Sequence, residues 1–281
     1  MIVVTWGAVS DTGRVRARNE DAVLAQDPVF VVADGMGGYR GGATASRIAV
    51  ETFREILDLP RVRAADIPPQ LRAAHDAIRR QAGIEPASAS MGTTAVGLTL
   101  VHEDGAAYWL AFNVGDSRLY RLHEGVLSQI SVDHSYVQEL VHAGFLAPDE
   151  ARLHPERSVI TRALGVADGS DADFWVFPAE AGERFLLCSD GLSGELDDVD
   201  IAAALAAGEG PQETAARLVT AANEAGGRDN ISVIVVDVAG TPDAELDAPT
   251  ADRPRSAPGS GAGSTPDPTS GSSPDPVPEI T

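Results

Sequence analysis

The chain has 281 residues, with 21 Lys+Arg against 42 Asp+Glu, one Cys and a formal charge of −21. At roughly 150 residues per domain that length fits one large domain or two small ones, and 43% hydrophobic residues suffice for a core, which excludes a wholly disordered protein. The charge argues against non-specific binding to nucleic acid or an anionic membrane, and a single cysteine excludes both a disulfide scaffold and a Cys-rich zinc module.

Every basic residue is Arg, so a P-loop lysine and a Schiff-base lysine are excluded. No stretch approaches the roughly 18 apolar residues that span a bilayer, and Met1–Trp6 lacks the basic and apolar regions of a signal peptide. Together with the lone thiol, these features predict a soluble, cytoplasmic protein in a reducing compartment.

In chain order, Ile2–Ser10, Ala22–Gln26 and Val29–Ala33 are β-prone runs punctuated by Gly, Asp and Pro. Ala43–Leu57 and Pro68–Gln81 have helical spacing, through Ile48, Val50, Phe53, Ile56 and Leu57, then Leu71, Ala74 and Ile78. Strands return at Thr93–Val101, Ala106–Val114, Arg118–Leu122 and Val126–Ile130, with Glu124-Gly125 as a hairpin turn. Ser135–Ala143 and Asp149–Leu153 read as helical, Phe174–Phe177 and Arg184–Cys188 as strands. Asp198–Ala206 and Pro211–Ala225 form a second helical pair before a last strand, Ile231–Val238. This order predicts an α+β protein: a central sandwich of two sheets with amphipathic helices on its outer faces. Residues 1–239 make the folded domain. Residues 240–281 hold nine of the 18 prolines and little to bury, which predicts a disordered acidic tail.

The acids sit at strand ends. Glu20-Asp21 stands between two strands, Asp34-Gly35 ends Phe30–Ala33, Asp190-Gly191 ends Phe185–Ser189, and Asp229-Asn230 precedes Ile231–Val236. Any one Asp-Gly is a common turn former. Several acids converging at one end of a sandwich repel one another unless a cation sits between them, and hard divalent cations take oxygen ligands. Arg14, Arg16 and Arg18 alternate along what would be an extended segment and so share a face, either as an anion site beside the acids or as a solvated strand edge. An arginine fork next to bridging metals suits a phosphate monoester.

The chain resembles the metal-dependent serine/threonine phosphatases of the PPM class (type 2C) in their short bacterial form. The resemblance rests on Gly13-x-Val15-Arg16-x-x-Asn19-Glu20-Asp21, Val32–Gly38, Gly92-Thr93-Thr94, Asn113–Arg118, Asp133-His134-Ser135, Ile160–Gly165, Ser189–Leu192 and Arg228-Asp229-Asn230, in that order. It implies a β-sandwich of two antiparallel sheets flanked by helix pairs, a four-layer αββα arrangement, and two Mn²⁺ or Mg²⁺ ions with a weaker third. Asp34 would bridge both metals, with the Gly35 carbonyl on one of them. Asp190 and Asp229 would hold the other, Asp21 and Glu20 would support the centre, and Asp116 would serve the third metal. Arg16 would contact the substrate phosphate, and a metal-activated water would attack phosphorus without a phosphoenzyme. The implied partners are phosphorylated proteins, serine/threonine kinases among them, acted on by a monomer that reverses kinase signalling.

The chain departs from the family pattern in three places. Met36 stands where eukaryotic relatives carry a His, and Tyr39 where bacterial members often do, which leaves His134 as a candidate proton donor or as the orienter of a turn. Gly194 replaces a frequent acid of the third metal, with Glu195 and Asp197 nearby as substitutes. The segment Asp133–Ile160 matches the family's mobile flap, which influences substrate choice, or is a packed helical insertion. Cys188, inside an apolar strand, reads as a core thiol. Two other functions fit the same residues: a pseudophosphatase that binds without turnover, and a partner-switch component that releases one dedicated protein. The intact acids and Arg16 favour the enzyme.

Overall fold

The computed structural model describes residues 2–37, 41–84, 90–166 and 171–240. The expected tail beyond Gly240 and the Gly38-Tyr39 stretch lie outside the described residues.

Two antiparallel five-stranded sheets form the centre. The first contains β1 (Ile2–Asp11), β8 (Arg118–His123), β9 (Val126–Gln129), β11 (Arg184–Cys188) and β12 (Ile231–Gly240), in the order β1-β12-β11-β8-β9. The second contains β2 (Ala22–Gln26), β3 (Val29–Ala33), β6 (Ala95–Glu103), β7 (Ala106–Val114) and β10 (Asp173–Pro178), in the order β10-β7-β6-β3-β2. A short ribbon pairs β4 (Gly35–Met36) with β5 (Gly92–Thr93).

Strand alternation explains the layers. In β3, Phe30 and Val32 point into the space between the sheets, where they meet Leu98, Trp109, Phe185, Leu187, Ile234 and Val236. Val29, Val31 and Ala33 point the other way, onto α1 (Gly41–Arg54) and α2 (Ile67–Ile84). In β12, Ile234, Val236 and Val238 line the sandwich interior. Ile231, Val233 and Val235 instead meet α6 (Asp198–Ala206) and α7 (Pro211–Ala225). The helices answer with their own period: α2 buries Ile67, Leu71, Ala74 and Ile78, and α7 buries Thr214, Ala215, Leu218, Val219 and Ala222. The α+β four-layer arrangement is therefore present. Cys188 lies on the helix side of β11, fully buried, and burial pushes its thiol up to about 12, so it is a packing residue.

Two expectations need adjustment, and a third, the pair of short helices in segment 133–160, is present. Strand β12 runs to Gly240, which pairs with Ile2, so the sheet extends two residues past Val238. Residues 12–20 form turns and bends in place of an extended run, so Arg14, Arg16 and Arg18 do not share a strand face. Gly13, at φ +77, turns the chain there, and the Arg14 N–H donates to the Gly227 carbonyl at 2.7 Å. Segment 133–160 carries two short helices, α3 (Tyr136–His142) and α4 (Pro148–Ala151), closed at its base by a Ser135–Ile160 bridge. Among the described residues, no helix is long and apolar enough to cross a membrane.

Candidate metal and phosphate site

The acids expected at strand mouths meet at one end of the sandwich. Asp34 follows β3, Asp21 precedes β2, Asp116 turns β7 into β8, and Asp190 opens α5 (Asp190–Ser193) directly after β11. Asp229 precedes β12, so adjacent strands of both sheets deliver their acids to one place.

Electrostatics show how closely they crowd. Burial, reinforced by Asp21, Asp190, Asp116 and Asp229, holds the Asp34 carboxyl well above the usual carboxylate range. Asp116 is raised in the same way by burial and then by Asp190 and Asp133. Asp190 is raised by burial and by Asp229, and stands within hydrogen-bonding reach of Asp34. Burial pushes Asp21 up to about 7, against opposing hydrogen bonds from Ser232 and Ser189. Glu20 is raised by burial, partly offset by Arg16 and Arg18.

Within this cluster three carboxylate oxygens, Asp21 Oδ1, Asp116 Oδ1 and Asp190 Oδ1, are buried with no hydrogen-bond partner among the described residues; Glu183 Oε1, the other such carboxylate oxygen, lies 2.6 Å from Arg121 Nη2. Folded proteins rarely leave such groups orphaned, and an anion pays the largest penalty. A Cβ built on Gly42 would stand 2.4 Å from Glu20 Oε2 and 2.7 Å from the Gly35 carbonyl oxygen, so those two acceptors converge on one spot that a side chain would fill. Among the described residues, no three His, Cys, Asp or Glu side chains close into a finished ligand cage. An open set of hard oxygen donors fits a divalent cation of the Mg²⁺ or Mn²⁺ type, which keeps several of its waters.

Arg16 is the cation inside this cluster. Its Nη2 donates to Asp229 Oδ2 at 2.6 Å, with the guanidinium half exposed. Burial works against its charge but Asp229, Asp190 and Asp34 outweigh it, so the group sits above its ordinary value. Arg14 and Arg18 make no such pair among the described residues. The Arg14 side chain instead packs against Gly227, and Arg18 acts on Glu20 through space without a hydrogen bond among the described residues.

A layer of polar residues fixes these groups. The Asn230 side chain spends three bonds on the loop that carries Arg16. Its Nδ2 donates to the Thr12 and Arg18 carbonyls at 2.9 Å each, and its Oδ1 accepts from Glu20 N–H at 2.8 Å. Ser189 Oγ donates to Asp21 Oδ2 at 2.9 Å. The Asp34 backbone is held on both sides, its N–H donating to Thr94 Oγ1 at 3.0 Å and its carbonyl accepting from Thr93 Oγ1 at 2.8 Å. Thr94 Oγ1 shares a 2.7 Å hydrogen bond with Ser117 Oγ, linking Asp34 to the Asp116 turn. The sequence placed these residues in motifs without assigning them roles.

His134 Nδ1 accepts the Gly115 N–H at 3.1 Å, and its Nε2 lies 3.1 Å from Asp173 Oδ2. With Nδ1 accepting, the proton belongs on Nε2, and burial lowers the imidazole below its usual range. His134 thus orients the Gly115 turn and is not aimed as a proton donor. The substitutes for an acid at Gly194 are also spoken for. Glu195 is held by Arg228 through Nε at 2.9 Å and Nη2 at 2.7 Å. Asp197 caps α6 by accepting the Asp200 N–H at 2.9 Å.

Residues 14–226 match the protein phosphatase 2C family model, and the chain belongs to that family. It is 40% identical over 244 residues to the serine/threonine protein phosphatase PstP of Mycobacterium tuberculosis, a match that covers 84% of this chain and 45% of PstP. The chain thus spans less than half the length of that relative. It is 35% identical over 238 residues to the serine/threonine phosphatase stp of Listeria monocytogenes, covering 81% of this chain and 93% of that protein. The crystal structure of the PstP catalytic domain in complex with two manganese ions superposes with a TM-score of 0.78 at 37% identity, over 85% of this chain and all of that one.

Proposed function

We propose that the chain hydrolyses phosphoserine and phosphothreonine monoesters in proteins, reversing serine/threonine kinase action, with two Mn²⁺ or Mg²⁺ ions as cofactors. The observation that carries this reading is the set of three orphaned, buried carboxylate oxygens beside a half-exposed guanidinium. When bound, the two cations would activate a water and withdraw charge from the phosphoryl oxygens. Asp34 would hold both of them and the Gly35 carbonyl one, while Asp190 and Asp229 hold the second and Asp21 and Glu20 steady the pair. Asp116 is offered to a third, weaker ion, with no acid at Gly194 to help it.

Arg16 binds the substrate phosphate through its planar fork. Its present partner, Asp229, leaves part of the guanidinium free for that contact. Asn230 keeps the Arg16 loop in register, and Ser189 keeps Asp21 pointed inward. The working unit in this reading is a monomer. Its substrates are phosphorylated proteins, kinases included, met in the cytoplasm. Residues 1–240, which include the end of β12, are the catalytic unit, and 241–281 are a dispensable acidic tail.

An assay on para-nitrophenyl phosphate and a phosphothreonine peptide, with Mn²⁺ and with chelator, tests the reading. Turnover that Mn²⁺ supports and chelator abolishes is the expected result. Tight Mn²⁺ binding without turnover on either substrate would make the chain a pseudophosphatase.

A further inference from the structure

A cavity of about 270 Å³ opens beside the acid cluster, with Asp116 and Asp190 forming part of its lining. Its other side is built by the 133–158 segment, and α5 contributes Ser193 and Gly194. Polar groups dominate it, among them Gln129, Gln138, Ser135 and Ser158, and three arginines line it: Arg118, Arg152 and Arg157.

The three arginines differ in what already satisfies them. Arg118 is spent, since its Nε and Nη2 grip the Asp133 carboxylate at 3.0 and 2.7 Å. Arg152 donates through Nη2 to the carbonyls of Ser193 at 3.4 Å and Leu196 at 3.1 Å, neutral acceptors that place the group without cancelling its charge. Arg157 is exposed and makes no side-chain hydrogen bond or ion pair among the described residues. The acid that feels it, Glu195, is already gripped by Arg228. On the acidic side, Asp133 is taken by Arg118, and Asp198 accepts the Tyr120 hydroxyl at 3.2 Å. Asp116 and Asp190 belong to the proposed cation centre. With that centre filled, the cavity presents two uncompensated guanidinium groups against one carboxylate.

We propose that this cavity is an accessory anion subsite: Arg157 and Arg152 receive an acidic group, a carboxylate or a second phosphate, carried by a residue close in sequence to the phosphoserine or phosphothreonine being hydrolysed. The inference rests on the phosphatase reading of the neighbouring site and narrows its substrate class to phosphopeptides with a flanking negative charge. Guanidinium forks suit both carboxylate and phosphate oxygens. Arg157 is the specificity residue, because Arg152 also holds the 148–151 helix against α5.

Four substrates decide the matter, each measured as kcat/KM with Mn²⁺ on the full chain: para-nitrophenyl phosphate, a phosphothreonine peptide with neutral flanks, the same peptide with flanking Glu, and the same peptide with a second phosphothreonine two residues away. The wild type is expected to favour the anionic peptides over the neutral one by about tenfold, mainly through KM, the size that one charge-assisted contact supports. Arg157→Ala should erase that preference, and Arg157→Glu should invert it in favour of the neutral peptide. A gain confined to the doubly phosphorylated peptide assigns the subsite to phosphate, and an equal gain with Glu assigns it to any anion. Equal rates on all peptides, or a preference that survives Arg157→Ala, overturn the subsite. A uniform loss on all four substrates in Arg157→Ala would also overturn it, because the residue would then be supporting the segment and not selecting substrate. No turnover of para-nitrophenyl phosphate by the wild type would sink the phosphatase reading itself.

Discussion

Strand β11 has a buried acid at each end, and the two are treated in opposite ways. Glu183, just before the strand, is almost wholly buried and faces a cation, although its Oε1, like Asp190 Oδ1, makes no hydrogen bond. Trp109 Nε1 and Glu180 N–H both donate to its Oε2, at 3.1 and 2.9 Å, and Arg121 Nη2 stands 2.6 Å from its Oε1, off the hydrogen-bond line. Close by, Arg184 grips Asp237 through Nε and Nη2 at 2.5 and 2.7 Å. Asp190, just after the strand, has a buried oxygen without a partner and other orphaned acids for neighbours. One end is matched charge that serves the fold. The other gathers like charge, which costs stability unless a cation or a proton offsets it.

The contrast is broken most sharply at Asp34. Asp34→Asn should lower Mn²⁺-dependent turnover of para-nitrophenyl phosphate at least about a hundredfold, with the circular dichroism spectrum retained. A mutant keeping more than about a tenth of the wild-type rate would remove Asp34 from the centre. At the other end of β11, Glu183→Ala should do the reverse. It strips a partner from Trp109 and Arg121, and should cost about 2 kcal/mol of stability while Mn²⁺ affinity stays the same. Loss of Mn²⁺ affinity in that variant would dissolve the distinction between the two ends.

Arg16→Ala should come next, raising KM for a phosphopeptide about tenfold, since a charged fork is lost while the carboxylates remain. Arg16→Lys should recover little, because a point charge does not replace the fork. Arg14→Ala and Arg18→Ala should stay near wild type. Equal damage from Arg18→Ala would put the phosphate contact at a different position in the loop.

The smallest effect is a slope with pH. Asp21 is pushed up to about 7 by burial, so between its ordinary range near 4 and about 7 the folded chain binds more protons than the unfolded one. Stability in chelator should therefore fall as pH rises through that window. Saturating Mn²⁺ should flatten or reverse the slope, which melting curves at pH 4.5, 5.5 and 7 in both conditions would record, given that window of about 4 to 7. A chelated protein that grows more stable towards pH 7 would mean that the acids are already compensated.

Much of this could be read from the sequence because apolar runs and their punctuation are local. The period of β3 and β12 sorts Phe30 and Ile234 inward and Val31 and Val233 outward, and acids at strand mouths announce themselves. What escaped was either too short to carry a period or too distant to pair. The β4–β5 ribbon and α5 span two and four residues. The run Arg14–Arg18 alternates like a strand, but Gly13 and the docking of Arg14 on Gly227 bend it into turns. Asn230 meets Glu20, and Ser189 meets Asp21, across separations of 210 and 168 residues. No local pattern could show that Glu195 is claimed by Arg228 and that Asp197 caps a helix.

The central claim is that the orphaned carboxylates at the Asp190 end of β11 await two divalent cations. Calorimetric titration of the chelator-stripped full chain with Mn²⁺ tests it directly. The account predicts saturable binding of two ions per chain in the wild type and loss of at least one of them in Asp34→Asn. Absence of Mn²⁺ binding in the folded wild type, or an identical isotherm in Asp34→Asn, would contradict it.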